Sequence, residues 1–318
     1  MDRMGTNWMS KRYFISAVLL LLSCTLAEAR TYREIFGSDS QLPAELKMVV
    51  ESLDYKQGIV DLPLAHAKLN VPAEFYFLGQ ADTARVLTQL WGNPPAAAEG
   101  SLGMIFPVQY APESSNSWGS VIDYVDDGYV SDIDAQAIDF DALLTDLKDA
   151  AVEGNAEREK DGYDPMTLVG WASPPFYDKS AHTLHWARDL LFGKDPKSPH
   201  TLNYSLRILG REGVLQLNFV AGLEQLPEIK ASIPSITKIA TFDPGKTYTD
   251  FHDGDKLAAY GMAGLIAAGA GAKIAAKVGF LAIALAFLKK GGVVLVIAGA
   301  AIVRFVKGIF GRKTPPAA

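Results

Sequence analysis

Trp171, Pro174, Pro175, Tyr177, Asp178, Trp186, Asn203, Arg207 and Arg211 are the richest collection of recognition chemistry in the chain. Indole and phenol rings beside guanidinium groups stack and form planar hydrogen bonds, which suits binding of carbohydrate, peptide or protein. Neighbouring strands would bring Trp171 and Trp186 together and leave Arg207 on a polar face. The same residues also fit a tryptophan pair in the core, with the arginines closing turns.

Other constellations offer less. Residues 123–134 (DYVDDGYVSDID) resemble a cation loop, with Asp123, Asp127, Gly128 and Asp134 at the first, fifth, sixth and twelfth positions of an EF-hand. The third position, however, is Val125, which has no side-chain oxygen, and the twelfth is Asp rather than a bidentate Glu. A solvated turn between a strand and a helix is the simpler reading. His182 and His185 lie in a segment that reads as a strand, where odd spacing points them to opposite faces. No HExxH pattern accompanies them. Ser173, Asp178 and His182 could be drawn as a nucleophilic triad, but neither their order nor a G-x-S-x-G frame supports it. No glycine-rich phosphate loop occurs in the body. The sequence thus predicts no metal and no cofactor, and catalytic residues are not identifiable from it.

The elements that must position these residues follow from hydrophobic period and turn chemistry. Helical spacing predicts helices over 44–53, 81–90, 141–153 and 223–239. Strands are expected over 59–62, 65–69, 103–108 and 120–125, then in quick succession over 168–172, 182–191, 202–209 and 214–220. In 202–209, Leu202, Tyr204, Leu206 and Ile208 alternate with Asn203, Ser205 and Arg207, the period of a half-buried strand. Strands followed by a helix, twice over, predict an α+β fold: a mainly antiparallel sheet with covering helices. One domain fits the length of the body.

The two ends differ from the body. Lys11 and Arg12 precede a short apolar run over 14–22, and Ala27-Glu28-Ala29 offers small residues for a signal peptidase, so residues 1–29 read as an export signal. Cys24, the only cysteine, lies in Leu21-Leu22-Ser23-Cys24, which resembles a lipobox; the alternative is that it leaves with the signal. No acid follows Asp255, and apolar runs over 257–272, 278–288 and 291–303 are broken only by lysine, arginine and glycine. This predicts C-terminal transmembrane or interfacial helices over 257–310, in one or two passes, and a basic tail over 311–318. The chain has 30 basic and 36 acidic residues. Three basic and two acidic residues lie in 1–29, and eight basic residues follow 256. Residues 30–256 therefore carry 19 basic against 34 acidic, a net of −15. Such a surface repels nucleic acid, leaving the membrane and a protein as the expected partners.

Several motifs carry a family resemblance. They are Gly170-Trp171-Ala172-Ser173-Pro174-Pro175-Phe176-Tyr177-Asp178, His185-Trp186-Ala187, Leu202-Asn203-Tyr204, residues 207–215 (RILGREGVL), Tyr248-Thr249-Asp250-Phe251 and residues 255–261 (DKLAAYG). Together they resemble the bacterial membrane-anchored proteins of domain of unknown function family 2167, from about Gly58 to the tail. The resemblance implies an envelope location and brings no activity. The expected protein is an inner-membrane-anchored one whose acidic domain is exported to the periplasm and binds or scaffolds a protein partner or envelope component. The alternatives are a hydrolase acting on an envelope polymer and a subunit of a membrane transport or signalling assembly.

Overall fold

The computed structural model describes residues 28–38 and 40–267. Its framework is an 11-stranded sheet in which every paired neighbour is antiparallel. The strands are β1 Glu28–Arg30, β2 Tyr55–Leu62, β3 Ala67–Val71, β4 Phe75–Gly79, β5 Gly103–Pro107, β6 Gly119–Val125, β7 Met166–Asp178, β8 Thr183–Phe192, β9 Thr201–Leu209, β10 Val214–Gly222 and β11 Ala240–Phe242. They run β11-β3-β2-β4-β5-β6-β10-β9-β8-β7, with β1 beside β2. β2 pairs with β1 and β4 before Gly58 and with β3 from it onward. Gly58, at φ +90°, supplies the backbone conformation at that changeover.

Helices cover both faces. On the first, α5 (Leu226–Ile239) buries Ile229, Ile233, Ile236 and Ile239 against Leu202, Leu206, Leu217 and Phe219 of the sheet. On the second, α1 (Tyr32–Phe36), α2 (Ala44–Glu51) and α3 (Gln80–Arg85) cover the β4–β5–β6 end, with a core of Tyr55, Tyr76, Leu78, Met104 and Phe106. α4 (Phe140–Lys160) and α6 (Met262–Ala267) cover the β7–β10 end of that same face over Leu168, Leu184, Trp186 and Leu209. α+β is therefore the observed class. β7 is an edge strand whose register shifts at three places, and Pro174 and Pro175 lie within it. Proline cannot donate to a ladder, so this edge is poorly suited to accept another strand.

Each strand and helix expected over 44–239 has an observed counterpart, although β7 extends to Asp178, past the expected 172, and β1, α1 and β11 were not expected. β4 went unrecognised because Phe75, Tyr76, Phe77 and Leu78 are all buried, and a strand buried on both faces shows no alternation. α4 runs to Lys160, well past the expected 153, because its last turns are polar and mostly solvent-facing. Met262, Leu265, Ile266 and Ala267 belong to the core of the body, although the sequence assigns 257 onward to the anchor. Among the described residues no helix is long and apolar enough to cross a membrane. Residues 1–27 of the signal expected over 1–29, and the tail from 268, lie outside the described residues, while Glu28 and Ala29 begin β1.

Candidate functional site

The second face carries a polar basin between its two helical clusters. Antiparallel register places Leu184, Arg207, Gln216 and Asp123 in one row across β8, β9, β10 and β6. The next row holds Trp186, Ser205, Asn218 and Val121, and the third holds Arg188, Asn203, Val220 and Gly119. Side chains opposite one another in a ladder share a face, so four short sequence segments deliver one surface.

Arg207 is its centre and is only 5% exposed. Its guanidinium lies over the Trp186 ring, with Cζ 4.8 Å from the centroid. Nη2 donates to Asn218 Oδ1 at 2.9 Å, and Asn218 Nδ2 donates to Asp123 Oδ2 at 3.0 Å. Nη1 donates to the Leu206 carbonyl at 3.2 Å. Arg188 donates from Nη2 to the Ile266 carbonyl of α6 at 2.7 Å. Burial and the neighbouring Arg188 charge lower Arg207 to about 9, while burial alone lowers Arg188 to about 10. Burial raises the Asp123 carboxyl, opposed by the Asn218 amide and the Arg207 charge. Arg207 Nε, Arg188 Nε and Trp186 Nε1 are buried and have no hydrogen-bond partner among the described residues.

A covering segment closes one side of the basin. Lys256 donates to the Asp126 carbonyl at 2.7 Å, and Tyr129 and Leu257 form a parallel bridge. The Tyr260 hydroxyl donates to Asp127 Oδ2 at 2.7 Å, and the Met262 amide, opening α6, donates to Asp134 Oδ1 at 3.1 Å. The acidic loop over 123–134 thus fastens the chain that leads into the tail. It differs from the solvated turn expected of it: Asp134 is buried, and Gly128 packs so closely that a Cβ there would meet the Lys256 carbonyl at 2.5 Å.

Of the sequence-selected residues, Trp186, Asn203 and Arg207 lie on these rows, and Trp186 and Arg207 touch. Trp171 and Tyr177 continue the rows onto β7, opposite Arg188 and Leu184, while Pro174 and Pro175 fall where the β7 register shifts and Asp178 and Arg211 serve other contacts. Trp171 packs beside α4, donating to the Phe140 carbonyl at 3.3 Å. Tyr177 donates to Asp132 Oδ2 at 3.0 Å, and burial with the Asp132 charge pushes its phenol well above its ordinary range. Asp178 closes its turn, accepting from the Ser180 hydroxyl at 2.6 Å and from the Ser180 and Ala181 amides. Arg211 makes a two-pronged ion pair with Asp255, both contacts at 2.8 Å, which holds that carboxyl far below its usual range. The Ser173, Asp178 and His182 triad is not assembled, since Asp178 is spent on its turn and the His182 ring lies 4.5 Å from that of Tyr248. His182 belongs to a left-handed turn at φ +51° and His185 to β8. Among the described residues no group of three or more His, Cys, Asp or Glu is placed to hold a metal.

Arg188 and Asn218 complete the basin and were missed, and Asp123, which joins them, was noted only as the first position of a cation-like loop. Arg188 was available from period alone, because it follows Trp186 by two on the same strand. Asn218 and Asp123 become visible only through strand order: β6 pairs with β10 across 95 residues of sequence, a long-range pairing with no local signal.

A sequence profile for the family described as "Protein of unknown function (DUF2167)" matches residues 54–300. None of the curated proteins matches this chain. Among solved structures, the chain is similar to the solution structure of cyanobacterial PsbP (CyanoP) from Synechocystis sp. PCC 6803, at 7% identity and a TM-score of 0.32. That match covers 58% of this chain and 91% of the other.

Proposed function

We propose a binding role for this chain, which belongs to the DUF2167 family of proteins of unknown function. In this reading residues 1–29 direct export, the acid-free tail tethers the protein to the bacterial inner membrane, and the acidic body works in the periplasm. There it engages a protein partner or an envelope component through the basin on the second sheet face. The supports for location lie in the sequence: a charged, apolar and small-residue succession at the start, and an end rich in Ala, Gly and Val with lysine and arginine as its only charges.

The observation that carries the binding role is the chemistry of the basin. Its convergent groups are guanidinium, indole and amide donors, which recognise and orient. Its one carboxylate, Asp123, is already engaged by Asn218. Preorganised donors on adjacent strands of a rigid sheet are what a recognition surface requires.

The test is crosslinking in cells followed by mass spectrometry of the full-length chain, compared with a chain ending at Ala267. Cutting at the expected boundary, before Leu257, would remove Met262, Leu265 and Ile266 from the core and confound the result. A reproducible partner captured by the full chain and lost from the truncated one supports a tethered binding protein. Capture of nothing above background by either chain contradicts the role.

A further inference from the structure

We infer that the buried Arg188, Arg207 and Trp186 cluster is a binding site for a small oxyanion group, a carboxylate or a phosphate. The inference rests on the binding role above and names the chemical class that its surface takes.

Three observations converge. The first is charge: the residues that β6, β8, β9 and β10 direct into the basin include two guanidinium groups and one carboxylate, Asp123. Asp123 is turned to the Asn218 amide, and the two acids that fasten the covering segment, Asp127 and Asp134, accept the Tyr260 hydroxyl and the Met262 amide. Two cations on one sheet face without a matching pair of anions are costly to bury, and an anion among them relieves that cost. The second is hydrogen bonding. Arg207 Nε, Arg188 Nε and Trp186 Nε1 are buried donors with no partner among the described residues, and Arg207 and Trp186 are 5% and 1% exposed. Buried donors are nearly always satisfied in proteins, and these three come from the paired strands β8 and β9 on one face, which points to a missing acceptor. The third is access. Asn203, Gln216 and Asn218 are half-buried polar neighbours on the same rows, the solvent-reaching side of a cluster that is otherwise buried. Planar guanidinium forks suit both carboxylate and phosphate oxygens.

The geometry favours a compact ligand or the end group of a larger one. Arg207 is held by Asn218 and by stacking on Trp186, so its Nε is presented without side-chain search.

The purified full-length chain is titrated calorimetrically with inorganic phosphate and, separately, with acetate. Saturable binding of either is expected; phosphate alone identifies a phosphoryl group and acetate alone a carboxylate. Trp186→Phe keeps a ring beneath Arg207 and removes one donor, and it weakens binding roughly tenfold or more, as expected for a hydrogen bond to a charged group. Arg207→Met abolishes binding. Should neither anion bind saturably, or should folded Arg207→Met bind as well as the native chain, the inference is overturned. If the native chain still captures a partner in cells, the binding role survives that result; if both fail, both fall.

Discussion

Arg207→Met is expected to leave the protein as stable as the native chain or slightly more so, while removing its capacity to bind. The native guanidinium forms two hydrogen bonds, to Asn218 and to the Leu206 carbonyl, and stacks on Trp186. Hydrogen bonds to a charged group contribute about 1.5–3 kcal/mol each, and the stacking about 1 kcal/mol. Opposing these are desolvation of the ion, several kcal/mol even after relaxation, and an unpartnered buried Nε costing about 1–3 kcal/mol. The two sides nearly cancel. Methionine retains the unbranched stem and places sulfur against the indole, so the variant should lie within about 1 kcal/mol of the native chain or above it. The sign is opposite for Asn218→Leu. That change strands a buried cation and the Asp123 carboxylate together, and about 3 kcal/mol of stability should be lost. The double variant should recover only the part of that loss due to the stranded guanidinium, because the Asp123 carboxylate then has neither the amide nor the cation beside it. Urea unfolding followed by tryptophan fluorescence measures all four chains. A loss of 3 kcal/mol or more in Arg207→Met would refute the reasoning, because it would make Arg207 a keystone of the fold rather than a residue retained for binding.

Three other outcomes follow from local geometry. Glu228 of α5 accepts from Trp118 Nε1 at 2.8 Å, Gln109 at 3.0 Å and Tyr110 at 3.1 Å, so Glu228→Ala strands the fully buried indole N–H. It should cost about 2–3 kcal/mol by urea unfolding, and Glu228→Gln should cost less because one acceptor remains. Gly128→Ala forces a side chain into a φ +103° backbone and against the Lys256 carbonyl, releasing the segment that carries Tyr260 and α6. Hydrogen exchange should show lost protection at Tyr129 and Ala258, whose amides donate to the Lys256 and Tyr129 carbonyls, with β9 and β10 unchanged. Asp255 is held below its ordinary value of 3.8 by Arg211, so its contribution is complete above that value and is lost as pH falls through the lower, folded value. Acid unfolding of Asp255→Asn should therefore be less steep below about pH 4 than that of the native chain, and an identical slope would argue against the linkage.

The legibility of the fold depended on how each element meets solvent. β9 was expected to be half-buried and is instead buried on both faces from Tyr204 to Leu209; its period identified it because one face is apolar and the other carries Asn203, Ser205 and Arg207. β4 has no such contrast and vanished into an apolar run. The tail boundary was misplaced for a related reason: Met262, Leu265 and Ile266 are apolar whether they meet lipid or a protein core, and hydropathy does not separate the two environments. In the basin, Trp186 and Arg207 attracted notice as residue types, yet their contact is made by the pairing of β8 with β9. Arg211 attracted the same notice and turned out to hold Asp255, so residue type alone did not separate a recognition group from a structural tie. The acidic loop was readable as a turn, but its role in fastening 256–262 depends on contacts more than 120 residues apart.

The most direct test of the basin as the recognition surface is photo-crosslinking in cells from two positions on opposite faces of the sheet. Gln216 lies within the basin and is half-buried, whereas Lys230 is exposed on α5 over the other face. With a photoreactive residue at each position in the full-length chain, a discrete adduct should form from 216, weaken sharply in an Arg207→Met background and be absent from 230. Equal adducts from both faces, or an adduct from 216 indifferent to Arg207, would contradict the account.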